Sequence, residues 1–160
     1  TSNARLGAGI ARTRDLLDAG ARMGLGVDGA ASNESASMLE EARHAVLFAR
    51  ARGGPQALGV REALALATIG GARVVGRDAD LGSIEPGKLA DLALWRLDTI
   101  AHADITDPVA ALVLGSPPPL ELLLVDGRVV VEQDRIVTVD ESVIAGEASK
   151  VHQSLVRKAG

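Results

Sequence analysis

The run Met23-Gly24-Leu25-Gly26-Val27-Asp28-Gly29-Ala30-Ala31-Ser32-Asn33 limits what this chain can fold into more than any other stretch. A short apolar segment stops at an acid, a glycine and small residues. Such a segment is the pattern of a buried strand that carries a carboxylate to the end of a sheet and then turns. The pattern predicts a strand over 22–27 and a loop over 28–35. Asp28 then has two readings. A strand-end acid commonly caps the following turn through nearby backbone amides. A carboxylate at the C-terminal end of a barrel strand instead sits where barrel enzymes do their chemistry, and there it can bind a metal and accept a proton from water.

Gly24, Gly26 and Gly29 also satisfy the G-x-G-x-x-G spacing of dinucleotide-binding turns. That motif needs its glycines in the turn after a strand, opening a helix directly. Here two of them lie inside the predicted strand, and Asp28 would face a pyrophosphate with negative charge. The spacing is therefore read as coincidental.

Composition narrows the rest. At 160 residues the chain is long enough for one good core. Its net charge of −4 gives no electrostatic case for nucleic acid or an anionic membrane. No apolar run reaches the roughly 18 residues of a membrane-spanning helix, and residues 1–5 do not resemble a signal peptide. There is no cysteine, which excludes disulfides and thiolate metal sites and agrees with a cytoplasmic setting. Phe48 and Trp95 are the only aromatic residues, so Ala, Leu, Val and Ile must build the core.

Residues 1–11 read as a loop, and Thr13 as the cap of a short helix stopped by Gly20. Ser35 or Ser37 caps a longer helix running to about residue 52. Met38, Leu39, Ala42, Ala45, Val46 and Ala49 form its apolar stripe, and Gly53-Gly54-Pro55 ends it. A further helix is predicted over 61–69, ended by Gly70-Gly71, with a short helical turn after it. This order resembles the last part of an α/β barrel more than a bundle. The composition shifts between Gly76 and Ile84, and strands are predicted over 90–95 and around Asp126-Gly127. Asp-Gly between two apolar runs favours a type I′ hairpin. Residues 107–114 are not assigned. Asp140 or Glu141 opens a last amphipathic helix.

No other motif makes a site by spacing. His44, His102 and His152 have no histidine two or four residues away. His44 reads as a surface partner of Glu40, four residues earlier. His102 and His152 read as structural or exposed, and no G-x-S-x-G nucleophile elbow is present.

Four blocks, taken together, resemble one family. The segment from Gly24 to Asn33 is similar to the eighth-strand motif of the amidohydrolase superfamily, in the branch of triazine hydrolases and purine deaminases. Residues 2–10 resemble the loop after that family's seventh strand. The passage from Gly71 through Gly82-Ser83-Ile84-Glu85-Pro86-Gly87-Lys88 to Leu92 resembles its step from barrel to small β-sandwich, and Asp126-Gly127-Arg128-Val129-Val130 its closing hairpin. The runs at 27–35, 50–55 and 107–113 look most like 8-oxoguanine deaminases.

The resemblance implies an α/β fold: the C-terminal part of a (β/α)8 metal-dependent hydrolase barrel over 1–76, part of a composite β-sandwich over 77–139, and a C-terminal helix over 140–160. It implies one divalent metal, usually Zn2+, held by a His-x-His pair, a further His and the eighth-strand Asp. The metal lowers the pKa of a bound water, the Asp takes the proton, and hydroxide adds to the carbon that carries an amino group. By match, Asp28 is both metal ligand and catalytic proton shuttle. Asn3, Arg5 and Ser32 are candidate substrate-binding residues. The implied reaction is hydrolytic deamination of a purine-like ring, with 8-oxoguanine giving urate and ammonia. The alternatives are a triazine-type amino- or chlorohydrolase and a non-catalytic binding module or relic. The implied partners are a small heterocycle and further copies of the full-length enzyme. The chain departs from the family in having no His-x-His and no assignable catalytic Glu. It is therefore expected to be an incomplete fragment, inactive alone.

Overall fold

The computed structural model describes residues 1–159. Its contacts divide the chain into two units, 1–89 with 97–118, and 90–96 with 119–160.

The first unit is helical. Short α1 (Ser2–Arg5) and α2 (Thr13–Asp18) precede the long α3 (Met38–Gly53). Then follow α4 (Val60–Ala65), a widened π-helical turn (Leu66–Gly70), α5 (Gly71–Val74) and α6 (Pro108–Leu114). Ser37 caps α3, its Oγ accepting from Glu40 N at 3.3 Å. Glu40 and Glu41 lie in the first turn and Arg50 and Arg52 in the last, the arrangement that the helix dipole favours. Thr13 is the first helical residue of α2 and makes no side-chain cap. Gly20, at φ +75°, closes that helix: Gly20 N donates to Leu17 O and Ala21 N to Leu16 O, a Schellman stop.

Helix α3 packs against α4 and α6 through small side chains. Ala42, Val46 and Ala49 meet Ala57, Leu58, Ala63, Leu66 and Val113 in the buried core. Asp107 caps α6, accepting from Val109 N at 3.0 Å, and takes a two-pronged ion pair from Arg61 of α4 at 2.7 and 3.0 Å. The Arg61 guanidinium, with backbone amides at the start of α6, holds the Asp107 carboxyl below its usual range against the opposing effect of burial. The folded state therefore prefers the charged carboxylate, and the unfolded chain takes up the proton first as pH falls. The contribution of Asp107 is complete well above pH 3.8 and is lost as pH drops through the lower folded value. Thermal unfolding followed between about pH 5 and about pH 3 should show a shallower fall in Tm for Asp107→Asn than for the native sequence.

Three further sequence expectations change. Residues 22–27 are extended, with half-buried Met23, Leu25 and Val27 alternating with exposed Gly24, Gly26 and Asp28, but they form no strand. A strand needs a ladder partner, and among the described residues this segment makes only one backbone bond to another element, Leu25 N to Leu66 O at 3.2 Å. Gly70-Gly71 does not end the helix that starts at Val60; the π-helical turn carries it on to Val74. Residues 2–5 form a helical turn within the predicted loop, and the unassigned residues 107–114 form the cap and body of α6.

The second unit holds a four-stranded antiparallel sheet in sequence order: β1 (Leu92–Trp95), β2 (Leu120–Val125), β3 (Arg128–Glu132) and β4 (Arg135–Ile136). Asp126 and Gly127 sit at φ +50° and +74°, the left-handed pair that a type I′ turn requires. The turn is tied to the start of β1 by Asp126 N to Asp91 Oδ1 and Gly127 N to Ala90 O. Helix α7 (Glu141–Ala159) follows. Among the described residues no helix is long and apolar enough to cross a membrane.

Candidate functional site

The extended segment ends at Asp28, which stands at φ +59°. Among non-glycine residues, Asp and Asn enter this left-handed region most readily. Among the described residues no donor meets the Asp28 carboxylate, and no cation pairs with it. The turn-capping reading of Asp28 is therefore not what the structure adopts. The loop is held by other groups. Gly29 O accepts from Ser32 N and Asn33 N at 3.0 and 3.1 Å, and Asn33 Nδ2 donates to Val27 O at 2.9 Å.

Asp28 opens on a cavity of about 230 Å³. Thr1, Ser2 and Asn3 line one side, Gly24 to Gly26 another, and Glu41, His44 and Phe48 of α3 a third. A larger cavity, about 380 Å³, lies against α4 and α5, lined by Arg14, Met23, Glu62 and Ile69. It holds no unpaired acid, since Glu62 accepts from Arg14 and from Gly59 N. The smaller cavity is the one that meets the free carboxylate.

The structure brings Asn3 to the same cavity as Asp28. Arg5 is placed elsewhere: its guanidinium is bound to Glu34, in the loop beyond Asp28, and lowers that carboxyl below its usual range. Ser32 turns its hydroxyl to the buried Ser2, with the two Oγ atoms 2.8 Å apart, and to Gly29 O. Both residues hold the N-terminal segment against the loop that follows Asp28.

His44 departs from its sequence reading. It makes no ion pair with Glu40. Its ring stacks on Phe48 with centroids 5.5 Å apart, and Nδ1 lies 2.7 Å from Thr1 Oγ1. His102 is buried between Thr99 Oγ1 at 2.8 Å and Ser116 O at 3.0 Å, a structural role.

Sequence reasoning missed Asn33 and Glu41, which are 2% and 9% exposed. Asn33 Nδ2 reaches Glu41 Oε1 at 2.9 Å, and Ser35 Oγ donates to Asn33 Oδ1 at 3.0 Å. The other Glu41 oxygen accepts from Thr1 N at 2.9 Å. One signal was available: Glu41 lies three residues after Met38 and four before Ala45, inside the apolar stripe of its helix. An acid at such a position needs a partner.

Among the described residues no three His, Cys, Asp or Glu side chains converge to hold a metal. A catalytic zinc takes three protein ligands and an open position. These residues supply one donor of the right kind, the unpaired Asp28 carboxylate, and do not by themselves close a zinc site.

Comparison with known proteins gives these features a context. The amidohydrolase family pattern matches residues 1–130. A 5-methylthioadenosine/S-adenosylhomocysteine deaminase of Desulforudis audaxviator is 39% identical over 97% of this chain and 36% of its own length. The 8-oxoguanine deaminase of Pseudomonas aeruginosa is 44% identical over 79% of this chain and 28% of its own length. The crystal structure of atrazine chlorohydrolase from Arthrobacter aurescens TC1, complexed with zinc, superposes with a TM-score of 0.87 at 37% identity, covering 93% of this chain and 34% of that one. The chain thus spans about a third of the length of the relatives it matches. A match over residues 1–130 shows that this chain belongs to the amidohydrolase family.

Proposed function

We propose that these residues form the C-terminal part of a hydrolytic deaminase of a heterocyclic ring, with 8-oxoguanine as the substrate. In this reading residues 1–76 are the end of a (β/α)8 barrel, in which the extended residues 22–27 pair with strands of the longer protein, residues 77–139 are part of a β-sandwich and residues 140–160 are a C-terminal helix. The observation that carries the reading is Asp28: an acid without a protein partner, at the end of an extended segment, facing a cavity. Relatives at 39% and 44% identity are named as deaminases of purine-type compounds, and they support deamination as the reaction class.

In this reading Asp28 is one ligand of a divalent metal, and the remaining ligands come from the rest of the longer protein. The metal, when bound, lowers the pKa of water. Asp28 accepts the proton of the attacking water on a carboxylate oxygen and passes it to the leaving nitrogen. For 8-oxoguanine the balance is one water consumed, urate formed and one ammonia released. Asn3 lines the substrate side of the cavity. Arg5 and Ser32 act indirectly, by holding the wall of the cavity to the loop that follows Asp28.

The test is ammonia release by the full-length protein, purified with its metal, from 8-oxoguanine, guanine, 5-methylthioadenosine and atrazine-type triazines. Preference for 8-oxoguanine is expected. Turnover of triazines alone would replace the purine substrate by the class of the chlorohydrolase relative. No turnover of any ring, with metal bound, would leave the binding-module reading in its place.

A further inference from the structure

We propose that the buried Asn33–Glu41 pair is the positioning device for Asp28, acting on the peptide that precedes it rather than on its carboxylate. The proposal rests on the reading of Asp28 as proton acceptor given above.

A carboxylate with no hydrogen bonds of its own takes its direction from its backbone alone. Among the described residues Asp28 is such a group, and its backbone is in the left-handed region. The Val27–Asp28 peptide sets the backbone, at φ +59°, from which the side chain projects to the cavity. One side chain holds that peptide. Asn33 Nδ2 donates one hydrogen to Val27 O at 2.9 Å and the other to Glu41 Oε1 at 2.9 Å. Ser35 Oγ occupies its Oδ1 at 3.0 Å, so the amide cannot turn without losing three bonds. Asn33 N is fixed as well, donating to Gly29 O at 3.1 Å.

Glu41 anchors this amide to a rigid element. It lies in the first turn of α3, beside buried Ala42 and five residues before buried Val46. Its second oxygen takes Thr1 N at 2.9 Å, so both oxygens are engaged. The chain of contacts runs from α3 through Glu41 and Asn33 to the carbonyl immediately before Asp28. Glu41 also lines the cavity that Asp28 faces, with its two oxygens taken by Asn33 Nδ2 and Thr1 N. Neutral Asn at this position is the side chain that can donate both to a carbonyl and to a carboxylate. Aspartate cannot.

The experiment uses the full-length, metal-loaded protein and compares Asp28→Asn, Asn33→Ala and the double variant Asn33→Asp with Glu41→Gln. Asn33→Ala should lower kcat by about 10- to 100-fold, with KM changed by less than about threefold, and should speed loss of zinc to a chelator by at least about tenfold. The double variant restores a bond between the two side chains with the donor reversed, while Val27 O stays without one. Its Tm should recover towards the native value, and its kcat should remain low.

Recovery of kcat together with Tm would show that the pair only stitches the loop to the helix, and would overturn the proposal. A native kcat for Asn33→Ala would do the same. If Asn33→Ala does not fold, the double variant decides alone, on the same two readings. If both fail to fold, the pair is a structural requirement of the loop and the proposal falls. A native rate for Asp28→Asn removes the underlying reading itself. An inactive Asp28→Asn beside a native Asn33→Ala removes only the positioning role.

Discussion

Asp28→Asn is expected to lower kcat of the full-length protein by about 10³-fold or more while leaving the unfolding midpoint of its metal-free form in denaturant unchanged. The two halves of that expectation have separate grounds. Asn keeps the size of the side chain and tolerates the left-handed backbone that Asp28 adopts at φ +59°. The carboxylate is exposed and has no protein partner among the described residues, so in the metal-free protein no folded-state contact is lost. What Asn removes is the negative charge and the ability to take a proton. Asp28→Ala is a less clean experiment, because it adds strain at the same backbone position. Steady-state turnover beside equilibrium unfolding separates the two effects. A variant that stays folded and active would show that the acid is not the proton acceptor.

Gly24→Val is expected to destabilise the fold by about 3 kcal/mol, and Gly26→Ala by less than about 0.5 kcal/mol. The two glycines lie two residues apart in one motif but meet different surroundings. A Cβ on Gly24 would stand 2.7 Å from Gly71 Cα and 3.0 Å from Gly71 N. Those atoms are backbone and cannot swing aside. The contact is reciprocal, since a Cβ on Gly70 would stand 2.6 Å from Met23 O. Around Gly26 there is nothing within 4 Å. Equilibrium unfolding of the two variants checks the contrast. Equal effects would mean that the backbone seam does not hold the extended segment in place.

This seam explains a coincidence in the sequence. The spacing of Gly24, Gly26 and Gly29 is that of a nucleotide-binding turn, yet at Gly24 the missing side chain serves a close approach between an extended segment and a helix. The general requirement, backbone against backbone, is shared with the third glycine of that motif. The ligand is not.

What could be read in the sequence was local chemistry. Asp126-Gly127 between two apolar runs specifies its own turn, and the cap, stripe and stop of α3 lie within one segment. Asp28 was legible because an acid that ends an apolar run is conspicuous. The pairings that organise the site were not legible, because each joins residues from different elements. Asn33 meets Glu41 across a loop, Ser2 meets Ser32, and Arg5 meets Glu34 rather than a cavity. No spacing rule connects such positions. The extended segment failed as a strand for a related reason. Its apolar pattern is a property of residues 22–27, but a ladder is a property of two segments.

The π-helical turn at Leu66–Gly70 has a consequence in angular phase. An α-helix advances about 100° per residue, so the residue count ahead of a position sets which way that position points. The wide turn holds one residue more than an α-helical turn spans, and Gly70 closes it with Gly71 directly after. Deleting a single residue here would regularise the helix and rotate both glycines by about 100° away from Gly24. The irregular turn thus works as a phase shifter: it aims a side-chain-free stripe at the one segment that ends in Asp28.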